Sequence, residues 1–406
     1  MAILGLRDVA SYQTQKFDNW RRNILYAFPD GAPLTGLMSL TDSEPTNDPD
    51  YHWHQKNLPT QRTTLTAAYL NNANTIVVLD PVIRQGHWIM NETTNELMEV
   101  IGVDSTGLIL TVHRGEWGAA VADSGGVAPF DAIVVVGNIN AEGGRAPQEI
   151  SEDPTVFNNK TQIWRTPFSE TGTLLNTPVK WDQTGTYKEK AREALQNQSI
   201  EMEKSAIWGA MAQYQDPATG KTKRTTGGIL SFMPAGYKLR PANAGGAMTP
   251  DEWEGFLELI FRVVSNTANE KLALVGSGTL KVLNRMAQLI GRTEIVAGDE
   301  AFGMALTRWY TPYGTVYLKL HPLFTQHPVW RYSALILDVH NLGFRPKNGR
   351  DLDLLTNRQL PDEDLRKDEY FCEGGFEWHH CGTGATQDTA KDGTHLFLSN
   401  IKSASV

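Results

Sequence analysis

Residues 186–209, TYKEKAREALQNQSIEMEKSAIWG, constrain the fold more than any other stretch of this sequence. Small and apolar side chains recur there at steps of three and four, the spacing of one buried face of an amphipathic helix. That face comprises Tyr187, Ala191, Ala194, Leu195, Gln198, Met202, Ala206 and Gly209. The charged residues are predicted to lie mostly away from it, namely Lys188, Glu189, Arg192, Glu193, Glu201, Glu203 and Lys204. We expect a helix about 35 Å long, against which both halves of the chain are laid. Thr186 and Glu189 should form a capping box, and Gly209 should mark the end.

Composition narrows the classes of protein that this chain can be. Its 406 residues suffice for two or three domains and at least one large core. The net charge of −9 leaves no general basic surface for nucleic-acid recognition. Two cysteines argue against a disulfide scaffold and fit a reducing cytosol. The first residues show no signal peptide, and the longest apolar runs have the length of strands, so no membrane span is expected.

The first 60 residues are predicted to need another surface. They are rich in loops, and they carry an aromatic and basic stretch that includes Trp20, Arg21 and Arg22. A segment that cannot bury itself is either a mobile tail or an arm that lies on a neighbouring molecule. Residues 51–55, YHWHQ, alternate large and polar side chains and therefore predict a strand.

Residues 62–138 predict a small β-domain with its own turn signals. Trp88 and Trp117 are the candidate core of this module, which we interpret as an insertion. Strands are expected at residues 75–79, 107–112 and 132–136, with a hairpin at 87–103 that turns at 93–95.

The rest of the chain predicts mixed α and β structure. A strand at 161–173 contains Pro167, which has no N–H for pairing, so this strand should be bulged or lie at a sheet edge. Thr249 and Pro250 are a good helix start before an apolar stripe. Residues 382–406 are polar and predicted to be mostly loop. The remaining patterns predict a strand at 271–275, a helix at 280–290, and strands at 305–310, 315–321, 333–339, 341–345 and 369–378.

Two short motifs invite a chemical interpretation, and each has a simpler structural one. Residues 218–222, ATGKT, resemble the end of a phosphate loop, but Gln215 stands where the first glycine is required. Residues 276–278, GSG, follow a predicted strand as a dinucleotide loop does, but Lys281 stands where the third glycine is required. A solvent-exposed turn explains the first motif, and helix capping by Ser277 explains the second.

Candidate metal ligands and catalytic groups do not form a recognisable site. His379, His380 and Cys381 with Cys372 match no standard zinc spacing, and adjacent side chains on a strand point to opposite faces. The pair of His52 and His54 shares a strand face, but it lacks a third ligand, so we predict a surface or interface pair. No motif assembles a nucleophile, a base and an oxyanion hole. We therefore predict no catalytic residue, no metal and no cofactor, and we favour a structural or assembly protein over an enzyme.

Four segments in a fixed order carry a resemblance to a known family. They are residues 33–59 (PLTGLM…YHWHQKNLP), 104–118 (DSTGLILTVHRGEWG), 136–173 (VGNINAEGG…TQIWRTPFSETGT) and 224–232 (RTTGGILSF), with weaker echoes at 308–322 and 367–375. The chain resembles the major capsid proteins of tailed bacteriophages that share the HK97-type shell fold. Within these it is similar to the group related to SU10-like and N4-like phages. The ordered set is diagnostic, whereas no single motif is.

The resemblance implies an α+β, HK97-like capsid fold with an inserted small β-domain. The β-domain is a departure from the minimal fold. The implied parts are an N-terminal arm at 1–50, an extended-loop region at 51–61 and 139–180, the inserted β-domain at 62–138, a peripheral domain with the spine helix at 181–224 and 346–406, and an axial domain at 225–345.

The resemblance also implies a function and partners. The chain would assemble with itself into pentamers and hexamers of an icosahedral or prolate head shell that encloses double-stranded DNA without sequence-specific binding. A separate scaffolding protein and a portal protein are the expected partners, with a decoration protein as a further candidate and no membrane. The virion would be its location, after assembly in the host cytoplasm. The candidate residues for intersubunit contact are Trp20, Arg21, Arg22, Trp53, Trp164 and Arg165.

Two other classes of protein remain open from the residues. One is a β-rich binding protein whose module at 62–138 recognises carbohydrate through Trp88 and Trp117. The other is a hydrolase that uses histidine and acidic residues near 362–381. Glycan binding by the module would favour the first, and turnover that is lost on changing His379 would favour the second.

Overall fold

The computed structural model describes residues 31–38, 44–57, 61–123, 132–144, 149, 151, 153–177, 185–243, 245–263, 269–290, 295–301, 304–387 and 391–402. The chain divides into two compact units. One comprises Met1–Gln55 with Val156–Val406, and the other comprises Lys56–Thr155.

The helices of the described part belong to the first unit. The longest, α3, carries the amphipathic pattern of the sequence. In chain order the helices are α1 (Pro33–Met38), α2 (Gly172–Leu175), α3 (Thr186–Trp208), α4 (Ile229–Phe232), α5 (Pro250–Phe261), α6 (Ser277–Ile290) and α7 (Pro322–Gln326).

Strands dominate both units. In chain order they are β1 (Asp50–Gln55), β2 (Arg62–Thr64), β3 (Thr75–Val77), β4 (His87–Asn91), β5 (Leu97–Val103), β6 (Ile109–His113), β7 (Ala132–Asn138), β8 (Thr155–Lys160), β9 (Gln162–Thr171), β10 (Ala212–Gln215), β11 (Thr222–Thr225), β12 (Lys238–Leu239), β13 (Glu270–Val275), β14 (Ile295–Ala301), β15 (Met304–Tyr310), β16 (Thr315–Leu320), β17 (Ala334–Leu337), β18 (Leu342–Pro346), β19 (Asp353–Leu355), β20 (Leu365–Trp378), β21 (Cys381–Thr383), β22 (Lys391–Gly393) and β23 (Leu396–Leu398).

A seven-stranded sheet with apolar side chains on both faces forms the centre of the first unit. Its order is β12-β23-β17-β13-β16-β15-β14. Ala273 and Val275 of β13 pack into a cluster with side chains of α5 and α6, whereas Leu272 and Leu274 pack into a second cluster with side chains of α3. Because successive side chains of a strand point to opposite faces, this one strand contributes to both cores. The predicted strand at 271–275 is confirmed.

A second sheet of this unit has β20 at its centre. β20 pairs with β18, β19 and β9, and β9 has no other strand partner among the described residues. Pro167 lies on β9 opposite Glu369. An edge strand needs no N–H on its outer side, so the missing donor of Pro167 costs no ladder bond. The predicted edge position is confirmed.

The second unit contains a six-stranded antiparallel sheet of order β2-β7-β4-β5-β6-β3. The predicted strands and the hairpin at 87–103 are confirmed in it. Its core is aliphatic, with Ile89, Met98 and Leu110 fully buried. The predicted role of Trp88 and Trp117 as the core is wrong, because Trp117 is exposed and Trp88 only half-buried.

Helix α3 begins and ends where the sequence predicts, but its first turn is capped differently. The N–H of Gly209 donates to the carbonyl of Ser205 at 2.9 Å and closes the last turn. At the other end the N-cap is Gly185, without a side-chain hydrogen bond, so the predicted capping box of Thr186 and Glu189 is wrong. The Thr186 hydroxyl donates instead to Glu170 at 2.9 Å. The Thr186 hydroxyl thus binds Glu170 on β9 and does not cap its own helix.

The last part of the chain is more ordered than its composition predicts. β23 pairs with β12 and β17 in the central sheet, and Leu396, Leu398 and Ile401 are buried. The expectation of mostly loop at 382–406 is therefore wrong for this segment. Residues 346–406 were predicted to belong wholly to the peripheral domain, whereas β23 lies in the sheet predicted to be axial. No helix of the described residues is long and apolar enough to cross a membrane.

Candidate assembly elements

The carboxylate of Glu203 on α3 holds the short helix α1. Its Oε1 accepts a hydrogen bond from the N–H of Leu34 at 2.9 Å, and its Oε2 accepts from the N–H and the hydroxyl of Thr35 at 2.6 and 2.7 Å. Nε2 of His321 lies 2.8 Å from Oε1, and both side chains of this pair are fully buried. The first N–H groups of a helix have no intrahelical acceptor, so a carboxylate placed there satisfies them and is stabilised by them.

The sequence pattern missed this anchor. It predicts that Glu203 lies on the polar side of α3, whereas the residue is buried beside Met202 and Ala206. The buried face of α3 is wider than the predicted stripe because α1 covers it from a second side, with Leu34 among the buried residues of the same cluster. Ile207, four residues after Glu203, was the available signal that the apolar face extends in this direction.

Residues 1–30 lead into this anchor. The candidate contact residues Trp20, Arg21 and Arg22 lie in that stretch, outside the described residues. Because Glu203 fixes α1 on α3, the anchor determines the point on the molecule from which the predicted arm begins.

Trp53, a candidate contact residue, packs inside its own chain. It is 7% exposed, and its ring lies 5.8 Å from Phe232 and 6.1 Å from Phe157 between centroids. The neighbouring Tyr51 donates its hydroxyl to the carbonyl of Phe376 at 2.8 Å, which ties β1 to β20. The burial of Trp53 argues against its predicted intersubunit contact, because other side chains of this chain already cover the ring.

Trp164 and Arg165 are adjacent on β9 and point to opposite sides. Trp164 is 4% exposed, and its Nε1 donates to the hydroxyl of Ser205 on α3 at 3.3 Å. It packs within the chain as Trp53 does, so its burial also argues against the predicted contact. Arg165 remains largely exposed and donates to both carboxylate oxygens of Glu369, at 2.6 and 2.7 Å. A partner could therefore reach Arg165, for which the contact stays a prediction.

A polar cluster is buried in the central sheet. Nζ of Lys271 lies 2.8 Å from Oδ2 of Asp338, and both side chains are almost fully buried. The N–H of Asp338 donates to Nδ1 of His395 at 3.2 Å. Burial lowers the pKa of His395 to about 3, so the imidazole is neutral at pH 7. The cluster joins β13, the residue that follows β17 and the residue that precedes β23. Because solvent does not reach these groups, they offer no site for a substrate.

The histidines and cysteines of the last strands form no metal centre in the described part of the chain. Burial raises the pKa of the Cys372 and Cys381 thiols to about 12, so neither is the thiolate that zinc or a nucleophilic mechanism requires. Nε2 of His379 contacts Glu377 at 3.2 Å. His52 and His54 are both exposed on one face of β1, as predicted.

The two phosphate-like motifs have structural roles. Residues 218–222 lie in the exposed turn between β10 and β11, where Asp216 accepts a hydrogen bond from the Thr219 hydroxyl at 2.7 Å. A Cβ on Gly276 would collide with the backbone of Arg331, and one on Gly278 would collide with the ring of Tyr332. These glycines allow Arg331 and Tyr332 of the same chain to approach closely, and these residues fill the space that a dinucleotide would need.

The second unit carries an aromatic pair on the face of the sheet opposite its core. The rings of Trp88 and Trp117 lie 5.8 Å apart at an angle of 53°, and Trp117 is 38% exposed. Trp88 is opposite Glu99 on β5, and Glu99 is opposite His113 on β6. The pair thus lies beside one carboxylate and one imidazole on neighbouring strands.

The comparisons with known proteins define a class of viral shell proteins. The family model described as SU10 major capsid protein matches residues 8–379. Because the match covers most of the chain, the chain belongs to this family. Membership supports the HK97-like capsid fold implied by the resemblance, and the described elements confirm its α+β class.

Individual relatives are distant. The chain is 23% identical over 336 residues to the major capsid protein of Pseudomonas phage PaMx41. The matched region covers 81% of this chain and 78% of that protein. Among solved structures it is similar to the holo-SrpI encapsulin of Synechococcus elongatus PCC 7942, with a TM-score of 0.49, 11% identity, and 99% and 98% of the two chains covered. It is also similar to the capsid of a native GTA particle, with a TM-score of 0.47, 8% identity, and 99% and 100% covered.

Proposed function

We propose that this chain is the major capsid protein of a tailed bacteriophage and assembles with itself into the pentamers and hexamers of a DNA-containing head. The family match over residues 8–379 carries this proposal. A closed shell repeats one chain in near-equivalent environments, so each subunit needs contacts to several neighbours. Interfaces that intimate exceed roughly 2,000 Å² in total, which an arm and an extended loop would supply.

The anchor at Glu203 gives the arm a mechanical role. Residues 1–30 begin from α1, which is bound to α3 through three hydrogen bonds to one carboxylate. α3 in turn packs on β9 and β20 through Trp164 and the apolar cluster that it shares with Phe376. The base of the arm is thus packed against the core of its own subunit, so a contact that the arm makes with a neighbour would connect the two subunit cores.

The proposed domain roles are those that the HK97-like capsid fold implies. Residues 1–50 act as the arm, in which α1 is the base packed on its own subunit. Residues 51–61 and 139–180 act as the extended loop and 225–345 as the axial domain, with α3 as the spine of the peripheral domain. The net charge of −9 suits a container that must not grip its DNA. Scaffolding, portal and decoration proteins are the further proposed partners, and the host cytoplasm is the proposed place of assembly.

Electron microscopy of the expressed chain tests the proposal. We expect uniform shells, or pentamer and hexamer rings, when the chain is expressed alone or with its neighbouring phage genes. Deletion of residues 1–30 should leave a folded chain that forms no correct shells, whereas the isosteric exchange Glu201→Gln on the exposed side of α3 should assemble normally. Monodisperse monomers under both expression conditions would refute the capsid function, and normal shells from the deletion would refute the arm.

The aromatic pair of the second unit supports a second candidate function, carbohydrate recognition. Sugar rings stack on tryptophan faces, and Trp117 presents an exposed ring beside Trp88, which lies opposite Glu99 in the sheet. A glycan array probed with the full chain should show binding that Trp117→Ala abolishes, while Trp309→Phe in the first unit should retain it. Absence of binding to every glycan on the array would refute this candidate.

A further inference from the structure

A cavity of about 520 Å³ opens beside the first turn of α5. It lies between that turn and the end of β15 with the loop that follows. Its lining is aromatic and acidic and comprises Pro250, Asp251, Trp253, Glu254, Leu257, Trp309, Tyr310, Thr311, Pro312 and Tyr313.

The aromatic walls of this cavity are held in place. Trp253 and Trp309 are 3% and 4% exposed, and their ring centroids are 5.6 Å apart. The loop on the opposite wall is closed by Thr311 and Gly314, which exchange backbone hydrogen bonds of 3.0 and 3.3 Å. A Cβ on Gly314 would collide with the backbone of Asn269, so this loop packs closely against the chain before β13. The cavity is therefore bordered by packed side chains and a hydrogen-bonded loop.

The charge of the cavity has one sign. Asp251 in the first turn of α5 and Glu254 just after it are exposed, and they are three residues apart and therefore neighbours on the helix surface. No lysine, arginine or histidine lines the cavity, and no ion pair is recorded for either carboxylate within the described residues. Aromatic faces and carboxylates together attract a cation, the first through the ring quadrupole and the second through a charge-assisted hydrogen bond.

The same chain presents a matching cation. The hairpin of β10 and β11 has every residue of β10 exposed, including Tyr214 at 50%. Nζ of Lys223 on β11 pairs with Asp216 in the turn at 3.1 Å. Lys221 is exposed, and its Nζ forms no ion pair among the described residues, although Asp216 lies across the turn, where its N–H donates to the carbonyl of Lys221 at 2.8 Å. The hairpin thus carries one exposed lysine that is in no ion pair of its own chain.

We propose that the aromatic and acidic cavity of one subunit receives the Lys221 turn of the hairpin of a neighbouring copy of the chain. The cavity is acidic and Lys221 is an exposed cation at the end of the hairpin, so the two are complementary in charge between copies. This inference rests on the proposed function, because only an assembling chain brings a second copy into contact. It assigns specific side chains to one subunit contact: Asp251 and Glu254 bind the ammonium group, and Tyr310 and Tyr313 flank the lysine stem.

Charge exchange tests the contact. Lys221→Glu alone, and Asp251→Lys with Glu254→Lys, should each lower the yield of shells at least about tenfold, since like charges then face each other. The combination of all three substitutions should restore the yield to within about twofold of wild type. Lys204→Glu, an equal charge change on the exposed side of α3, is the matched control. Thermal unfolding of the unassembled variants should match wild type and thereby separate assembly from folding.

A crosslink provides a second readout that does not depend on yield. In assembled shells of the Lys221→Cys, Glu254→Cys variant, copper phenanthroline as oxidant should produce a ladder of disulfide-linked chains. The Lys204→Cys, Glu254→Cys variant should produce none. If wild type assembles but no ladder forms, or if the single charge variants assemble as wild type does, the contact is refuted while the proposed function stands. If wild type forms no shells, both are refuted.

Discussion

The exchange Glu203→Gln should release α1 from α3. The carboxylate accepts three hydrogen bonds from Leu34 and Thr35, and the two from Thr35 share Oε2. The isosteric amide keeps one carbonyl oxygen and places an NH2 group against the two remaining donors. At about 1.5 kcal/mol for each hydrogen bond to a charged acceptor, the loss of two predicts about 3 kcal/mol. A mutation at one fully buried carboxylate should thus destabilise a contact between residues far apart in sequence.

Two assays follow this loss. Urea unfolding of the unassembled chain should show a lower free energy of unfolding for Glu203→Gln, with the exposed Glu201→Gln as the matched control. Hydrogen exchange in peptides that cover residues 31–38 should become faster, because local opening of α1 then costs less than global unfolding. Thr35→Val removes only the hydroxyl donor and should cost about half as much. Combining it with Glu203→Gln should cost less than the sum, because both changes remove the same hydrogen bond.

Specific results would refute this reasoning. If Glu203→Gln unfolds within about 0.5 kcal/mol of wild type and the exchange of residues 31–38 is unchanged, the carboxylate is not an anchor. Strict additivity of the two substitutions would show that the hydroxyl of Thr35 and Glu203 do not interact.

Two further predictions concern titratable groups. Burial lowers the pKa of His395 to about 3, below the value near 6.5 expected in the unfolded chain, so the unfolded state binds more protons between these values. The free energy of unfolding should therefore fall as the pH drops below about 6.5, and His395→Gln should flatten this slope while the exposed His54→Gln retains it. Burial raises the pKa of Cys372 and Cys381 to about 12, so iodoacetamide at pH 8 should label neither thiol in the folded chain and both in urea, as measured by mass spectrometry.

Each of these predictions has a clear contrary outcome. An unchanged pH slope in His395→Gln would show that another group accounts for acid sensitivity. Labelling of Cys372 or Cys381 in the folded chain at the rate seen in urea would show that the thiol is accessible and ionisable.

Local signals in the sequence predicted the elements that depend on a few neighbouring residues. The helix α3 followed from the step of three and four residues, since that spacing places side chains on one face whatever lies opposite. The edge position of β9 followed from Pro167, because a missing N–H has the same consequence in any sheet. The start of α5 followed from Thr249, whose hydroxyl accepts a hydrogen bond from the N–H of Glu252 at 3.2 Å. The family itself followed from the order of several such segments.

The tertiary structure alone decided which polar groups are buried and which short segments join the core. The burial of Glu203 depends on α1, which lies far away in sequence. Ile207 indicates within α3 that the apolar face extends in this direction, but it does not show that a carboxylate on that face is buried. β23 is too short for its alternation to distinguish it from a loop, and only its pairing with β12 and β17 makes it a strand. The cavity beside α5 exists because β15 places Trp309 against Trp253. Contacts between residues distant in the chain depend on the packing of the whole fold, whereas periodicity and capping depend only on the local backbone.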